Sequence, residues 1–242
     1  MSPDYSIIIP AFNEEELLPE TLASIRGAMA EISAFSGEVV VVNNGSKDRT
    51  AEIAGRHGAQ VVFEGHRQIA RARNAGAAAA RGRHLIFVDA DTRISPALLG
   101  RTLRALNSEG FCGGGAAIAF DRKLPLGPAL AARLWNCLSR TCRWAAGSYV
   151  FCRRDAFVEI GGFDEDFYAS EEIHFSRALK RWGRRNGYRF IILDEPALTS
   201  SRKLDWFSSG ELARYTLRLC FRPGLLRSRE GCGPWYERRN GR

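Results

Sequence analysis

Two aspartates follow the most apolar strand-like run of the chain. In LIFVDADT (85–92), four apolar residues lead directly into Asp89 and Asp91. Such a run is typical of a parallel strand covered on both faces. Carboxylates at its end are costly to bury unless they are paired, hydrogen-bonded or bound to a metal. Their hard oxygens suit Mg²⁺ or Mn²⁺, which commonly hold a substrate phosphate. The alternative is that one of them caps the following helix.

The elements that must position these aspartates alternate between strand and helix. Four short apolar runs are separated by segments with helical periodicity. This alternation of predicted strands and helices predicts a parallel, doubly wound α/β sheet. Right-handed crossovers bring the carboxyl ends of such strands to one edge, where open α/β sheets bind ligands. The predicted strands are YSIIIPAF (5–12), GEVVVVNNGS (37–46), QVVFEG (60–65) and HLIFVDAD (84–91).

Three polar clusters therefore converge at the edge that carries Asp89 and Asp91. The other two are Asn13 with Glu14, after the first strand, and residues 43–46, after the second. We expect Asn13 to be the N-cap of the first helix. The chain has neither a Gly-x-Gly-x-x-Gly after the first strand nor a P-loop, which argues against those two phosphate-binding devices.

Length and charge bound the organisation of the chain. Its 242 residues suffice for one large domain, or a domain with a subdomain. We divide it into residues 1–110, residues 111–203 and a basic segment, 204–242. The net charge is +8, and residues 202–242 hold ten Lys or Arg against four Asp or Glu. This imbalance indicates an anionic partner: a membrane surface, nucleic acid or an acidic glycan.

The cysteines and apolar runs indicate a compartment. None of the six cysteines forms Cys-x-x-Cys, so free thiols in a reducing cytoplasm are expected. The N-terminus enters a strand-like run without a secretory signal. No apolar run approaches the ~18 residues of a membrane span. We therefore expect a cytoplasmic protein that meets a membrane, if at all, peripherally at its inner face.

Six motifs in order resemble the family 2 glycosyltransferases. They are SIIIPAFNEEE, VVNNGSKDRT, ARARNAGAAAARG, the helix end at Arg81 and Gly82, FVDADT and GGFDEDFYASEE. The resemblance covers about residues 5–200. It implies the GT-A fold, a Rossmann-like, mostly parallel sheet flanked by helices, with a mixed acceptor-side second half. It also implies a sugar-nucleotide donor.

The resemblance assigns nucleotide-binding roles. Base and ribose are cupped by the loop after the first strand, and Ala90, between the two aspartates, also contacts the nucleotide. Asn43 and Asn44 stand where the family has an acidic pair, and an amide can still pair with a uracil or guanine edge; an ordinary polar turn is the alternative. Arg71 and Arg73 reach the nucleotide or its phosphates, or else lie on a solvated helix face. The loop residues are Pro10, Ala11, Phe12, Asn13 and Glu14.

The resemblance also assigns the metal and the base. Asp91 ligates Mg²⁺ or Mn²⁺ directly, and Asp89 contacts the ribose or reaches the metal through water. The catalytic pair is Glu171 and Glu172, with Glu172 as general base. The family has Asp at that second position, so the carboxylate here lies one methylene further out. The alternative is that both glutamates cap the helix that follows.

Further residues have weaker assignments. Trp144, Gly147 and Ser148 fall where the family contacts the donor sugar and acceptor. His174 is more simply a structural residue of its helix. Residues 199–203 form a loop whose Arg202 or Lys203 closes over the diphosphate, or which is merely surface.

These features predict a metal-dependent, inverting transferase that moves a sugar from a UDP- or GDP-sugar to a hydroxyl. The acceptor is a glycan or lipid-linked, in envelope polysaccharide or glycolipid synthesis, and no nucleic-acid partner is expected. The alternatives are a retaining transferase, a non-catalytic sugar-nucleotide- or glycan-binding protein and, less well matched by the acidic first loop, a nucleotidyltransferase. Residues 206–229 interleave basic and apolar residues and are a candidate contact with an anionic membrane.

Overall fold

A computed structural model describes residues 2–107, 110–206, 210–211, 214, 218 and 222–236 of the chain. Strands and helices alternate through the first half, as the sequence predicted. The elements are β1 (Tyr5–Ala11), α1 (Leu18–Glu31), β2 (Gly37–Asn43), α2 (Thr50–Arg56), β3 (Gln60–Phe63), α3 (Ile69–Ala79), β4 (His84–Val88), β5 (Thr92–Arg93), α4 (Pro96–Asn107), β6 (Phe111–Phe120), α5 (Leu126–Cys142), β7 (Tyr149–Arg153), α6 (Arg154–Ile160), α7 (Glu171–Asn186), β8 (Arg189–Thr199), α8 (Lys203–Trp206), 3₁₀ turns at Pro223–Arg227 and Glu230–Cys232, and α9 (Gly233–Tyr236).

One eight-stranded sheet runs through both halves of the chain, in the order β3-β2-β1-β4-β7-β6-β8-β5. The first four strands of that order are parallel, whereas β7 is antiparallel to both of its neighbours. Strands β6 and β8 are again parallel, and β5 is antiparallel to β8. The prediction of a mostly parallel sheet with a mixed second half is confirmed.

The apolar runs fill two layers, one on each face of the sheet. Ile7 and Ile9 of β1 pack with Ile86 of β4 on one face, whereas Ile8 and Phe87 pack on the other. All five side chains are fully buried. Burying an aliphatic or aromatic side chain stabilises the fold by about 1.5–3 kcal/mol. Both faces need apolar residues, which is why these strands read as continuous runs.

The first helix begins later than the sequence suggested. The prediction that Asn13 caps it is wrong: α1 starts at Leu18, and Asn13 adopts a left-handed conformation with φ of 50°. The backbone N–H groups of Asn13 and Glu14 donate to Ser46 Oγ at 3.0 Å and Thr50 Oγ1 at 2.8 Å. These bonds tie the loop after β1 to the loop after β2 and to the first residue of α2, so Asn13 and Glu14 are held away from the helix.

The long strand β8 brings a late part of the chain to the carboxyl edge. It pairs with β6 as far as Thr199, beyond the YRFIIL run that predicted it. Ser200 N then donates to Asp91 O at 3.0 Å. Residues 200–202 consequently lie beside the loop that follows β4. Within the described part of the chain, no helix is long and apolar enough to span a bilayer.

The tight approach of the chain after α3 to β1 can be tested by adding one methyl group. A Cβ on Gly82 would lie 2.5 Å from the backbone nitrogen of Ser6 and closer still to the carbonyl carbon of Tyr5. Gly82→Ala should therefore lower the free energy of unfolding by about 1–3 kcal/mol, measured by urea denaturation.

Gly27→Ala is the matched control. Gly27 is exposed within α1, and a Cβ there would meet nothing within 4 Å. This change should raise the free energy of unfolding by up to about 1 kcal/mol, because alanine favours the helix. Equal effects of the two substitutions would show that the close contact of residue 82 with β1 is absent.

Candidate functional site

A buried arginine joins three segments at the carboxyl edge of the sheet. Arg73 of α3 is 2% exposed. Its Nη1 donates to Glu171 Oε1 at 2.7 Å, and its Nη2 donates to Asp89 Oδ1 at 3.1 Å and to Gly147 O at 2.7 Å. The other buried residues of α3 are small, including Ala70 and Gly76, which lets the helix approach the sheet closely. The interpretation of Arg73 as part of a solvated face is wrong.

The second arginine of the motif lies in different surroundings. Arg71 Nε is 3.6 Å from Glu165 Oε2, and both side chains are over two-fifths exposed. The two arginines predicted for one role are thus divided: Arg73 is inside the carboxylate cluster, and Arg71 faces a loop carboxylate.

Glu172 is a carboxyl group with a raised affinity for its proton. It is half-buried in the first turn of α7, and its Cδ would lie 3.6 Å from a Cβ added to Gly147. Burial, followed by the negative charge of Glu171, raises the pKa of Glu172 to about 8, although Arg73 opposes the shift. A carboxyl group with a pKa close to neutral is well matched to general base catalysis.

The two glutamates therefore differ in environment although they are adjacent. Both lie at the positive end of α7, as a helix-capping role would require. Glu171, however, is buried and pairs with Arg73. That ion pair fixes Glu171, and Glu172 beside it has the proton-accepting character. Capping alone does not account for this difference.

A second arginine joins two further carboxylates. Arg202 Nη2 donates to both carboxylate oxygens of Glu14 at 2.7 Å and lies 3.5 Å from Asp91 Oδ2. The three side chains are at most 16% exposed. The guanidinium also lies over the Trp206 ring, 5.1 Å from its centroid. Glu14 was predicted to contact the base, but its carboxylate is hydrogen-bonded to Arg202.

The carboxylates of this edge are suited to a divalent cation that is shared with a substrate. Among the residues that the structure describes, no group of three His, Cys, Asp or Glu side chains could hold a metal by itself. Asp91 lies beside the positive charge of Arg202, so its position already accommodates a cation. Mg²⁺ typically takes one or two carboxylates and completes its shell with water and phosphate oxygens. Asp91 and Asp89 fit that donor set.

Asn44 holds a loop rather than facing outward. It is 5% exposed, and its Nδ2 donates to Glu64 O at 2.9 Å and His66 O at 2.7 Å. Its Oδ1 accepts from Gln68 N at 3.0 Å. Both amide N–H donors are thereby used, so Asn44 has none to offer a base, and its expected pairing with a base edge is corrected to a structural role. The side chain instead fixes the connection between β3 and α3.

The remaining polar residues of these loops stay nearer the surface. Asn43 is half-buried, and its Oδ1 accepts from Ser46 N at 2.8 Å. Asn13 Oδ1 accepts from Lys47 N at 2.8 Å. The Phe12 ring lies under the guanidinium of Arg67, 3.6 Å from its Cζ. Asn13 and Asn43 are therefore held in place from neighbouring backbone.

Two residues predicted to meet the nucleotide are in the core. Ala11 and Ala90 are 2% and 4% exposed. Ala11 O accepts from Asn44 N at 2.8 Å, and Ala90 O accepts from Thr21 Oγ1 at 2.9 Å. Pro10, the other residue of this set, is half-buried near the end of β1. The backbones of Ala11 and Ala90 thus fix the loops that carry Asn13 and Asp91.

The segment that was predicted to meet the acceptor contains aromatic contacts. Arg177 lies over the Trp144 ring, 5.0 Å from its centroid. The His174 ring stacks on Phe167 at a centroid distance of 3.9 Å, and burial, followed by the charge of Arg177, lowers the pKa of His174. This packing agrees with a structural histidine. Ser148 accepts a hydrogen bond from Asp89 N at 3.2 Å through its carbonyl.

Two pairings were not anticipated from the sequence. These are Arg73 with Glu171, separated by 98 residues, and Arg202 with Glu14, separated by 188. A signal for the first exists, because Arg73 lies three residues after Ala70 and three before Gly76, on one stripe of α3. Nothing comparable marks the second pair.

Solved structures with this architecture define the fold as GT-A. The mannosyltransferase PcManGT from Pyrobaculum calidifontis, in complex with GDP-Man and Mn²⁺, superimposes with a TM-score of 0.67 at 21% identity, over 90% of this chain and 61% of that one. Residues 1–349 of TarS from S. aureus give 0.61 at 18% identity, over 93% and 66%. The predicted GT-A fold is confirmed.

The sequence comparison gives the family. Residues 6–161 match Glycosyl transferase family 2, and the chain belongs to that family. It is 35% identical over 107 residues to the uncharacterised glycosyltransferase EpsJ of Bacillus subtilis, which is 42% of this chain and 30% of EpsJ. It is 39% identical over 102 residues to dolichyl-phosphate beta-glucosyltransferase of Drosophila melanogaster, 37% of this chain and 31% of that protein. The matches thus span about a third of these relatives.

Proposed function

We propose that this protein is a divalent-cation-dependent glycosyltransferase that moves a sugar from a UDP- or GDP-sugar to an acceptor hydroxyl with inversion. The observation that carries the proposal is the arrangement around Arg73. A carboxyl group of raised pKa, Glu172, lies in one cluster with Asp89, at the same sheet edge as Asp91. Membership of Glycosyl transferase family 2 supports this reading of the cluster.

The donor-binding residues follow from the loops of that edge. Pro10, Phe12 and Asn13 line the base and ribose, with Asn43 beside them, and Asp89 meets the ribose. Asp91 binds Mg²⁺ or Mn²⁺ with Asp89 in support. Such a cation offsets the negative charge that develops on the diphosphate leaving group. A similar structure supports this chemistry, because PcManGT was solved in complex with GDP-Man and Mn²⁺.

Glu172 acts as the general base in this proposal. It takes the proton of the acceptor hydroxyl while that oxygen attacks the anomeric carbon of the donor. The bond from the anomeric carbon to the diphosphate breaks, and its electron pair leaves with the nucleoside diphosphate. Attack opposite the leaving group inverts the anomeric configuration. Arg73 keeps Glu171 in an ion pair, so that Glu172 is the carboxyl group that exchanges the proton.

The acceptor is a glycan or a lipid-linked molecule. The similarity to a dolichyl-phosphate beta-glucosyltransferase supports a lipid-linked one. The five cysteines in the described part of the chain are free thiols, which suits a reducing compartment such as the cytoplasm. Of the 24 residues of 206–229, the segment predicted to contact a membrane, 11 lie outside the described residues.

Replacement of Asp91 tests the cation-binding assignment. Purified protein should release nucleoside diphosphate from one member of a UDP- and GDP-sugar panel with Mn²⁺. Asp91→Asn should lower this release by about 10²-fold or more, because the leaving-group charge is no longer offset. It should also weaken Mn²⁺ binding in a direct titration.

Asp194→Asn is the control for Asp91→Asn. Asp194 is an exposed carboxylate that pairs with Arg140, so its loss should leave both readouts unchanged. Full activity of Asp91→Asn would refute the assignment. Nucleotide binding without turnover of any donor in the panel would instead favour a non-catalytic binding protein.

Replacement of Glu172 tests the base. Glu172→Gln should lower kcat by about 10²–10⁴-fold with donor affinity unchanged, because only proton removal is lost. In the native protein kcat/KM should rise with pH and level off above about 8, where Glu172 is ionised; the variant should lack this rise.

Glu172→Asp is the conservative control, because it keeps a carboxylate and restores the residue type of the family. It should retain the rise with pH. Undiminished turnover by Glu172→Gln would refute the base assignment. NMR of the product should show the inverted anomer, and retention would identify a retaining enzyme.

A further inference from the structure

Helix α5 presents a stripe of leucines to solvent. Four leucines recur every four residues along it, so they fall on one side of the helix. They account for four of the seven large exposed hydrophobic side chains in the described residues. Their exposed fractions are 87% for Leu126, 65% for Leu130, 68% for Leu134 and 40% for Leu138.

The opposite side of α5, which faces the protein, is held by two polar side chains. Asn136 Nδ2 donates to Ile118 O at 2.9 Å, and its Oδ1 accepts from Ile118 N at 3.0 Å. Ser139 is buried and donates to Trp144 O at 2.6 Å. A surface helix of a globular protein normally turns its apolar side to the core. In α5 the four leucines instead face solvent, so the leucine side is matched to an apolar surface outside the domain.

The surroundings of this stripe are basic. Helix α5 carries Arg133 and Arg140 and no acidic residue. At its C-terminal end, one groove is lined by four basic residues, and in the described ranges none of the four forms an ion pair. Of the two arginines on α5 itself, Arg140 forms an ion pair with Asp194 at 3.0 Å. The four groove residues are Arg143, Lys180, Arg184 and Arg189.

The positive charges are crowded together. Burial, followed by the charge of Arg184, lowers the pKa of Lys180. An anion bound in the groove would relieve this repulsion. A second copy of the chain, which would bring the same positive groups to a symmetric contact, would increase it. The charge therefore favours an anionic lipid surface over self-association.

We propose that α5 docks on an anionic phospholipid membrane. The leucines enter the boundary between headgroups and acyl chains, and the groove residues contact lipid phosphates, as in interfacial amphipathic helices. This surface is made of residues other than 206–229. Docking on the membrane requires no sugar transfer.

The position of α5 gives this docking a consequence for the site. The helix ends five residues before Gly147, whose carbonyl accepts from Arg73. A docked α5 would bring the acceptor side of the site towards the bilayer. This second step rests on the proposed function, because it explains how a lipid-linked acceptor hydroxyl reaches Glu172.

The test is co-sedimentation with vesicles of phosphatidylcholine, with and without phosphatidylglycerol. The native chain should sediment with the anionic vesicles, and Trp135 on α5 should add a blue shift of fluorescence. The double variant Leu130→Ser/Leu134→Ser should bind at least tenfold more weakly. Both leucines are exposed, so circular dichroism should show an unchanged fold. Val158→Ser, an equally exposed apolar residue on α6, is the matched control and should bind normally.

A charge variant tests the groove separately. Arg143→Gln/Lys180→Gln/Arg184→Gln should weaken binding to anionic vesicles on the order of 100-fold and flatten its dependence on salt. Absence of vesicle binding, or binding that the leucine and charge variants leave unchanged, would overturn the proposal. The proposal would also be overturned if light scattering showed that the native chain is a dimer, that the leucine variant is a monomer, and that vesicles are not bound.

Failure of the docking proposal can be told from failure of the proposed function. The leucine variant should release nucleoside diphosphate from a soluble donor at the native rate, because the leucines are outside the site. Vesicle binding by a chain that turns over no donor would leave the docking intact and refute the transferase. Donor turnover without vesicle binding would leave the transferase intact and refute the docking.

Discussion

The buried guanidinium of Arg73 is the constraint on which the site depends. A charge removed from water must be matched by hydrogen-bonded anions, and removal of a partner typically costs 3–5 kcal/mol. Arg73 is matched by Glu171, Asp89 and the carbonyl of Gly147, which come from three separate parts of the chain. Satisfying one charge therefore fixes three loops. Glu172 is left half-buried beside an ionised neighbour, and burial, followed by that charge, raises its pKa.

The same principle operates at the other end of the edge, with a looser geometry. Arg202 donates to Glu14 at 2.7 Å but lies 3.5 Å from Asp91. The segment after β8 is thereby attached to the loop after β1. A divalent cation at Asp91 would share that carboxylate with Arg202. The two arginines thus have separate roles, because Arg73 fixes the residues near the proposed base and Arg202 those near the proposed cation site.

Much of the fold could be predicted from the sequence, because apolar runs and helical periodicity are local signals. The convergence of Asp89 and Asp91 with the other strand ends followed from parallel topology. The inward turn of Asn44 could not be predicted, because it depends on backbone atoms of residues 64–68. For α5 the periodicity gave an amphipathic helix but not its orientation, which is set by the bonds of Asn136 to Ile118.

The most direct measurement is the titration of Glu172 by carboxyl ¹³C NMR in protein labelled at glutamate Cδ, with the resonance assigned from its loss in Glu172→Gln. If Arg73 holds Glu171 as an ion pair beside a half-buried Glu172, the Glu172 signal should titrate with a midpoint of about 8. A Glu172 midpoint near the ordinary glutamate value of about 4.3 would contradict this arrangement of charges.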